Sequence, residues 1–215
     1  MAGTPTQLQL AAITDPVVRM LASQGRVRVY AKNAIIMNEG DEGDSLLFIL
    51  SGKVKVYSAS ETGREIVHDF HDAGEYIGEM ALDGHPRSAS VVTLEPTTCS
   101  VLTRDEVRRA IAEHPDIAIH IISTLIARAR IATASVRNLA LLDVYGRVAR
   151  LMLDLAEDRD GTLVIPERLT QQEISDRVGA SRDMVSRIFK DLVAGGYIRI
   201  ENKVISILRP PPDRW

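Results

Sequence analysis

Between Gly78 and Ala89 the chain reads Gly-Glu-Met-Ala-Leu-Asp-Gly-His-Pro-Arg-Ser-Ala. This stretch sets a backbone turn, the Glu79 carboxylate, the Arg87 guanidinium and the Ser88 hydroxyl within an apolar, strand-like region. An Arg buried there has no obvious acidic neighbour in sequence, and a buried cation is costly unless something anionic satisfies it. A small phosphate diester would do so, with Glu79 free to accept a bond from a sugar hydroxyl. The stretch reads as a sensor for an anionic, sugar-bearing ligand. It offers no metal cluster and no activated nucleophile, which speaks against an enzyme such as a cyclic phosphodiesterase.

A second constellation lies between Thr170 and Lys190. Thr170 followed by Glu173 is a capping box, Ser181 is placed to cap a second helix, and Gly179 supplies a turn conformation that a Cβ would resist. Ser175 is small where the two helices would cross, and Ile174, Val178, Val185 and Ile188 form the apolar set that would join them. That is helix-turn-helix spacing. Arg182, Asp183, Ser186, Arg187 and Lys190 fall mainly on the face away from this set, and Thr170, Gln171, Gln172 and Ser181 stand at the helix starts beside it. Arg182 and Arg187 could each offer a fork to a guanine edge, and Asp183 could accept from a cytosine amine. A solvated charged face is the plainer alternative. The turn, the small residue and the outward basic residues together favour DNA.

Other elements must position these two sites. From Arg26 to Thr103 short apolar segments are punctuated by Gly40, Gly43, Gly52, Gly63, Gly74, Gly78 and Gly84, the pattern of an antiparallel barrel or sandwich. Asp15–Gln24 and Arg104–Glu113 read as flanking helices, the second started by Thr103. From Pro115 to Leu142 no further Gly or Pro interrupts the chain. Ala118, Ile122, Leu125, Ala129, Ala132, Val136 and Leu139 alternate at spacings of four and three there, a coiled-coil seam suited to a second copy. Ile117, Ile121 and Ile131 offer another apolar face that could lie on the chain's own barrel. Asp143-Val144-Tyr145-Gly146 reads as a hinge. A helix with Val148, Leu151, Met152 and Leu155 on one side follows, ending in polar Glu157–Gly161. Thr162–Ile165, Tyr197–Ile200 and Val204–Leu208 read as strands; the last two form a hairpin turning at Glu201-Asn202-Lys203, which makes a winged helix. Pro210-Pro211-Pro212 reads as an extended tail.

The 215 residues carry a net charge of −3, all of it before Asp143, since Asp143–Trp215 holds 12 Lys+Arg and 12 Asp+Glu. DNA binding must then come from local placement of charge. No apolar run is expected to reach bilayer-spanning length, and no signal pattern opens the chain, so a cytoplasmic protein with no membrane partner is expected. Cys99 is the single cysteine, which excludes an internal disulfide and reads as a packing residue in a strand.

With both constellations in view, the chain resembles the CRP/FNR superfamily of bacterial transcription regulators, and most of all its cyclic-AMP receptor branch. The likeness is strongest at Gly78–Ser90, Asn138–Val144 and Thr170–Lys190. It implies an α+β architecture: a cyclic-nucleotide-binding β-roll (a double-stranded antiparallel barrel) over residues 1–115, a dimerisation helix over 116–142 and a winged helix-turn-helix over 143–215. By resemblance Arg87, Ser88 and Ala89 hold the cyclic phosphate, Glu79 the ribose 2′-hydroxyl, and backbone groups around Gly78 and Met80 assist. Arg128 matches a family arginine that pairs with the cassette glutamate. Ala132 and Thr133 match two adjacent hydroxyl residues that meet the base, so one hydroxyl is missing. The loop between Glu79 and Arg87 is shorter than in that receptor, and Asp183 stands where the family usually has Glu.

The resemblance further implies cyclic AMP as allosteric ligand, a homodimer, palindromic TGTGA-type DNA sites, and RNA polymerase as a partner. Cyclic di-GMP as ligand, or constitutive DNA binding with a vestigial cassette, are the alternatives. The N-terminal cysteine cluster of the oxygen-sensing branch is missing, and His68, His71, His85, His114 and His120 are scattered like surface or packing residues rather than haem ligands.

Overall fold

Asp15 opens the first substantial helix of the computed structural model, which describes residues 3–61, 65–159, 161–166, 169–201 and 204–211. After one turn of helix, α1 (Gln7–Leu10), comes α2 (Pro16–Gln24). Its free N–H groups at Val17 and Val18 donate to the Asp15 carboxylate at 2.8 and 2.9 Å, with Pro16 at the first helical position. Eight strands follow: β1 (Arg26–Tyr30), β2 (Ile35–Met37), β3 (Ser45–Ser51), β4 (Lys53–Ala59), β5 (Glu65–Asp72), β6 (Tyr76–Ile77), β7 (Ser90–Thr93) and β8 (Thr97–Thr103). They pair antiparallel as two four-stranded sheets, β1-β8-β3-β6 and β2-β7-β4-β5.

Strand β3 shows how this roll closes. Leu46, Phe48 and Leu50 join a cluster with Val18 and Leu21 of α2, whereas Leu47 and Ile49 meet Met37, Val54, Ile77, Val91 and Cys99 between the sheets. A strand buried on both faces needs apolar side chains throughout, which is why this segment shows no alternation. Cys99 sits in the inter-sheet layer, and burial pushes its thiol up to about 12, so the reactive thiolate is scarce. The folded protein is expected to resist a disulfide reagent such as DTNB and to react fully once denatured. Rapid stoichiometric labelling of the native protein would show the layer to be open.

Helix α3 (Arg104–Glu113) starts at a Thr103–Glu106 capping box, and α4 (Asp116–Leu141) runs unbroken for 26 residues. Ile117 and Ile121 are buried in the cluster shared with α2 and β3. Ile131 does not join them and is 58% exposed, because it lies about 15 Å further along the helix axis, past the turns that carry buried residues. The seam positions Ile122, Leu125, Ala129, Ala132, Val136 and Leu139 are all exposed in the single chain. One sequence expectation is corrected here: α4 is long and apolar enough by composition to cross a bilayer. Its hydropathy has another source, since one face feeds the roll's core and a neighbouring face carries the seam; Arg128 continues the first of these, and Arg130 and Arg137 lie on neither.

The chain divides into two compact units within α4, residues 1–128 and 129–215. In the second, α5 (Val144–Leu155), α6 (Gln171–Val178) and α7 (Arg182–Ala194) pack on a sheet ordered β11-β12-β10-β9, from β9 (Glu157–Arg159), β10 (Thr162–Ile165), β11 (Ile198–Glu201) and β12 (Val204–Ile207). Val148, Met152, Ile165, Ile174, Val185, Phe189, Leu192 and Ile205 share its core. The expected hinge is shorter than read. Asp143 accepts the Gly146 N–H at 2.8 Å and caps α5, so Val144, Tyr145 and Gly146 are already helical and only Leu142–Asp143 breaks the path. Glu157–Arg159 is an edge strand rather than a polar helix end; fully exposed, it carries no alternation to read. The hairpin turn at Asn202-Lys203, Gly63 and Pro212 lie outside the described residues.

Candidate ligand cassette and nucleic-acid interface

Gly78 turns the chain with φ 89°, and a Cβ there would fall 2.7 Å from Arg87 Nη1 and 2.8 Å from the Ser45 carbonyl oxygen. No side chain fits, and few would accept that backbone. The turn launches a 3-10 helix, Glu79–Asp83, that buries Glu79 and Ala81 and leaves Met80 exposed. Arg87 is fixed from both ends. Its N–H donates to Asp41 O at 2.8 Å, and its carbonyl accepts from Gly40 N–H at 2.9 Å. Its Nη1 donates to Gly78 O at 3.2 Å, and Nη2 to Ser45 O at 2.8 Å and Ser45 Oγ at 3.2 Å. Burial lowers the guanidinium's pKa, with Asp44 and Glu79 pulling the other way. Carbonyl oxygens accept its bonds but carry no net charge, so the cation remains without a neutralising carboxylate in contact among the described residues.

Glu79 is 5% exposed, with Oε1 2.6 Å from Arg128 Nη1. Arg128 also donates through Nη2 to Tyr76 O at 2.8 Å, and its guanidinium lies 5.6 Å from the centroid of the Tyr76 ring. The second oxygen, Oε2, is buried with no hydrogen-bond partner among the described residues, a costly state for a carboxylate. Ser88 is exposed and donates to the weak acceptor Met80 Sδ at 3.2 Å; Ala89 is half-buried beside it. Gly78, Glu79, Met80, Arg87, Ser88, Ala89 and Arg128 thus belong to one unit, with Glu79 and Arg87 at its buried centre. Ala132 and Thr133 belong to the second unit, where both are exposed and Thr133 Oγ1 donates to Ala129 O at 2.9 Å.

Three residues of this neighbourhood carry no signal in the sequence. Ser45 supplies two of the Arg87 acceptors, Arg104 Nη2 donates to Gly43 O at 2.8 Å, and Arg108 Nη2 donates to Leu82 O at 3.3 Å. Gly43 reads as a turn residue. Its real constraint is space, because a Cβ would lie 2.6 Å from Ala81 Cβ and 2.8 Å from Arg87 Nε.

In the second unit, Thr170 and Glu173 form the reciprocal capping box of α6, at 2.7 and 3.1 Å. Gly179, at φ 64°, ends that helix in the left-handed region, and Ser181 Oγ accepts Met184 N–H at 3.2 Å to start α7. Ser175 is 1% exposed between the helices. At about 100° per residue, Arg182, Asp183, Ser186, Arg187 and Lys190 share an arc of roughly 140° opposite Val185, Ile188, Phe189 and Leu192. All five are solvent-accessible, as are Thr170, Gln171, Gln172 and Ser181. Sequence reasoning passed over Arg147, whose Nε donates to Val178 O at 2.7 Å and Nη1 to Leu142 O at 3.0 Å, tying the end of α6 to the break before α5.

Two domain families match the chain: the cyclic nucleotide-binding domain over residues 27–114 and the Crp-like helix-turn-helix domain over residues 146–211. The CRP-like cAMP-activated global transcriptional regulator of Mycobacterium tuberculosis is 33% identical over 183 residues, covering 83% of this chain and 82% of that one. The chain belongs to the CRP family of transcription regulators. Within the family, the cAMP-activated global transcriptional regulator CRP of Salmonella typhimurium is 31% identical over 200 residues, covering 90% of this chain and 95% of its own. Among solved structures, the c-di-GMP responsive global regulator CLP of Xanthomonas campestris superposes with a TM-score of 0.71 at 26% identity, covering 87% of this chain and 95% of that one. The roll bearing the cassette is the family's cyclic-nucleotide-binding domain, and α6 and α7 lie in its helix-turn-helix.

Proposed function

We propose that this CRP-family regulator is a homodimer whose binding to palindromic TGTGA-type DNA sites is gated by cyclic AMP. The observation that carries the ligand reading is the pairing of a buried Arg87, with no carboxylate in contact among the described residues, and a buried Glu79 whose Oε2 lacks a donor among them. A cyclic phosphate brings the missing negative charge, and a ribose hydroxyl brings the missing donor. The Thr133 hydroxyl lies 2.9 Å from Ala129 O, to which it donates. In that arrangement its lone pairs can accept from an exocyclic amine such as that of adenine.

The exposed seam of α4 suits a second copy, and a dimer would present two α7 helices to two half-sites about one DNA turn apart. Arg182, Asp183 and Arg187 read base edges, while Thr170, Gln171, Gln172, Ser181, Ser186 and Lys190 serve the backbone and the groove wall. Arg128 joins the cassette to α4, so ligand on Glu79 bears on the helix that forms the dimer. A regulator of this kind acts in the cytoplasm with RNA polymerase as partner.

The test is a fluorescence anisotropy titration of the full chain on a palindromic TGTGA-type duplex, without ligand and with cyclic AMP, cyclic GMP or cyclic di-GMP. Cyclic AMP is expected to change the affinity by about tenfold, a common size for allosteric coupling. Equal affinity in every condition would leave a constitutive regulator with a vestigial cassette. A response to cyclic di-GMP alone would reassign the ligand, and sedimentation as a monomer with ligand present would remove the dimer.

A further inference from the structure

Met184 is the exposed apolar side chain in the first turn of α7, at 42% exposure, and it is not among the buried core residues of the second unit. Its backbone N–H is held by the Ser181 cap at 3.2 Å, so the turn presenting it is fixed. At about 100° per residue it stands roughly 60° from Arg187, on the flank of the arc that also holds Arg182 and Asp183. The exposed Leu153, Val193, Ile200 and Leu208 of the same unit lie outside that turn. An unbranched thioether has no donor and only a weak acceptor, so it cannot read a hydrogen-bonding edge. The base edges of the major groove offer one apolar group, the 5-methyl of thymine, and the first residues of a recognition helix are those that reach base edges.

We propose that Met184 is a specificity residue that recognises a thymine in each half-site through its 5-methyl group. This rests on the DNA-binding reading given above. The thioether is flexible and polarizable, so it can follow a methyl at the groove wall while Arg187 beside it engages its own base. The contact adds shape-based preference to hydrogen-bonded reading, and Met184 is not among the buried residues of the unit's core.

The experiment begins with selection of a duplex from a randomised pool by the full-length protein, in the presence of cyclic AMP and in its absence. Each thymine of the selected duplex is then replaced singly by deoxyuridine, which removes the methyl and leaves every hydrogen-bonding group. Wild-type protein is expected to lose roughly three- to fivefold in affinity at one thymine per half-site, the weight of one buried methyl group. Met184→Ala is expected to bind the thymine and uracil duplexes alike, while Met184→Leu keeps the preference. If uracil lowers the affinity of wild type and Met184→Ala equally at every position, or if Met184→Ala weakens both duplexes equally, the methyl contact is wrong and DNA reading stands. If no duplex is enriched over the random pool, DNA reading fails and takes the methyl contact with it.

Discussion

Arg87→Leu is expected to lower cyclic nucleotide affinity by at least about 100-fold, since losing a charge-assisted fork to a buried phosphate removes roughly 3 kcal/mol or more and each 1.4 kcal/mol is tenfold. The guanidinium is the one group of the cassette that combines burial, positive charge and no contacting carboxylate among the described residues. Leu fills part of the volume but brings neither charge nor donors. The same change removes the side-chain donor to Ser45 O and leaves Gly78 O with the Ala81 N–H alone, so stability is expected to fall by about 1–3 kcal/mol. Binding and folding can be separated because Arg87→Lys retains the charge while losing the planar fork. It is expected to fall between wild type and Arg87→Leu in affinity. The measurement is calorimetry with cyclic AMP on each variant, at a temperature where its melting curve shows it folded. Wild-type affinity in a folded Arg87→Leu protein would mean that no phosphate meets this residue.

What the sequence made legible divides along a physical line. Caps and turns obey local rules, so Thr103, Thr170, Gly179 and Ser181 could be placed from spacing, and each caps its helix in the structure. Periodicity located α4 and the apolar joint of α6 with α7. It failed where burial leaves no imprint: β9 is an edge strand of exposed Glu157, Asp158 and Arg159, and Ile131 continues a pattern whose partner surface has already ended. A search for an uninterrupted apolar run passed over α4, where two different apolar faces on one helix add up to the hydropathy of a membrane span. Contacts between residues distant in the chain were invisible for another reason. Ser45 meets Arg87 across 42 positions, and Arg104 meets Gly43 across 61. Polar residues that serve such partners look like any other surface residue until the fold joins them.

Arg128→Met is expected to destabilise the protein by about 3 kcal/mol, more than most single substitutions, because it strands a buried carboxylate. Glu79 already has one oxygen without a partner among the described residues, and Arg128 holds the other at 2.6 Å. Without the guanidinium, both oxygens sit in a site that is 5% exposed. The Arg128 side chain is itself 27% exposed, so water can reach the vacated position, which places the estimate at the low end of the 3–5 kcal/mol known for broken buried pairs. The double variant Glu79→Gln/Arg128→Met removes the stranded charge and is expected to recover roughly 2 kcal/mol of that loss. Loss of the Tyr76 carbonyl bond and ring contact remains unrecovered in both. Urea unfolding of the wild type, both singles and the double closes the cycle. A double variant no more stable than Arg128→Met would mean that the lost Tyr76 contacts, not the charge on Glu79, set the cost. If the stranded charge does set it, the same charge explains why a hydroxyl donor at Oε2 has so much to gain. It satisfies the one atom that Arg128, already occupied by Oε1 and Tyr76, cannot reach.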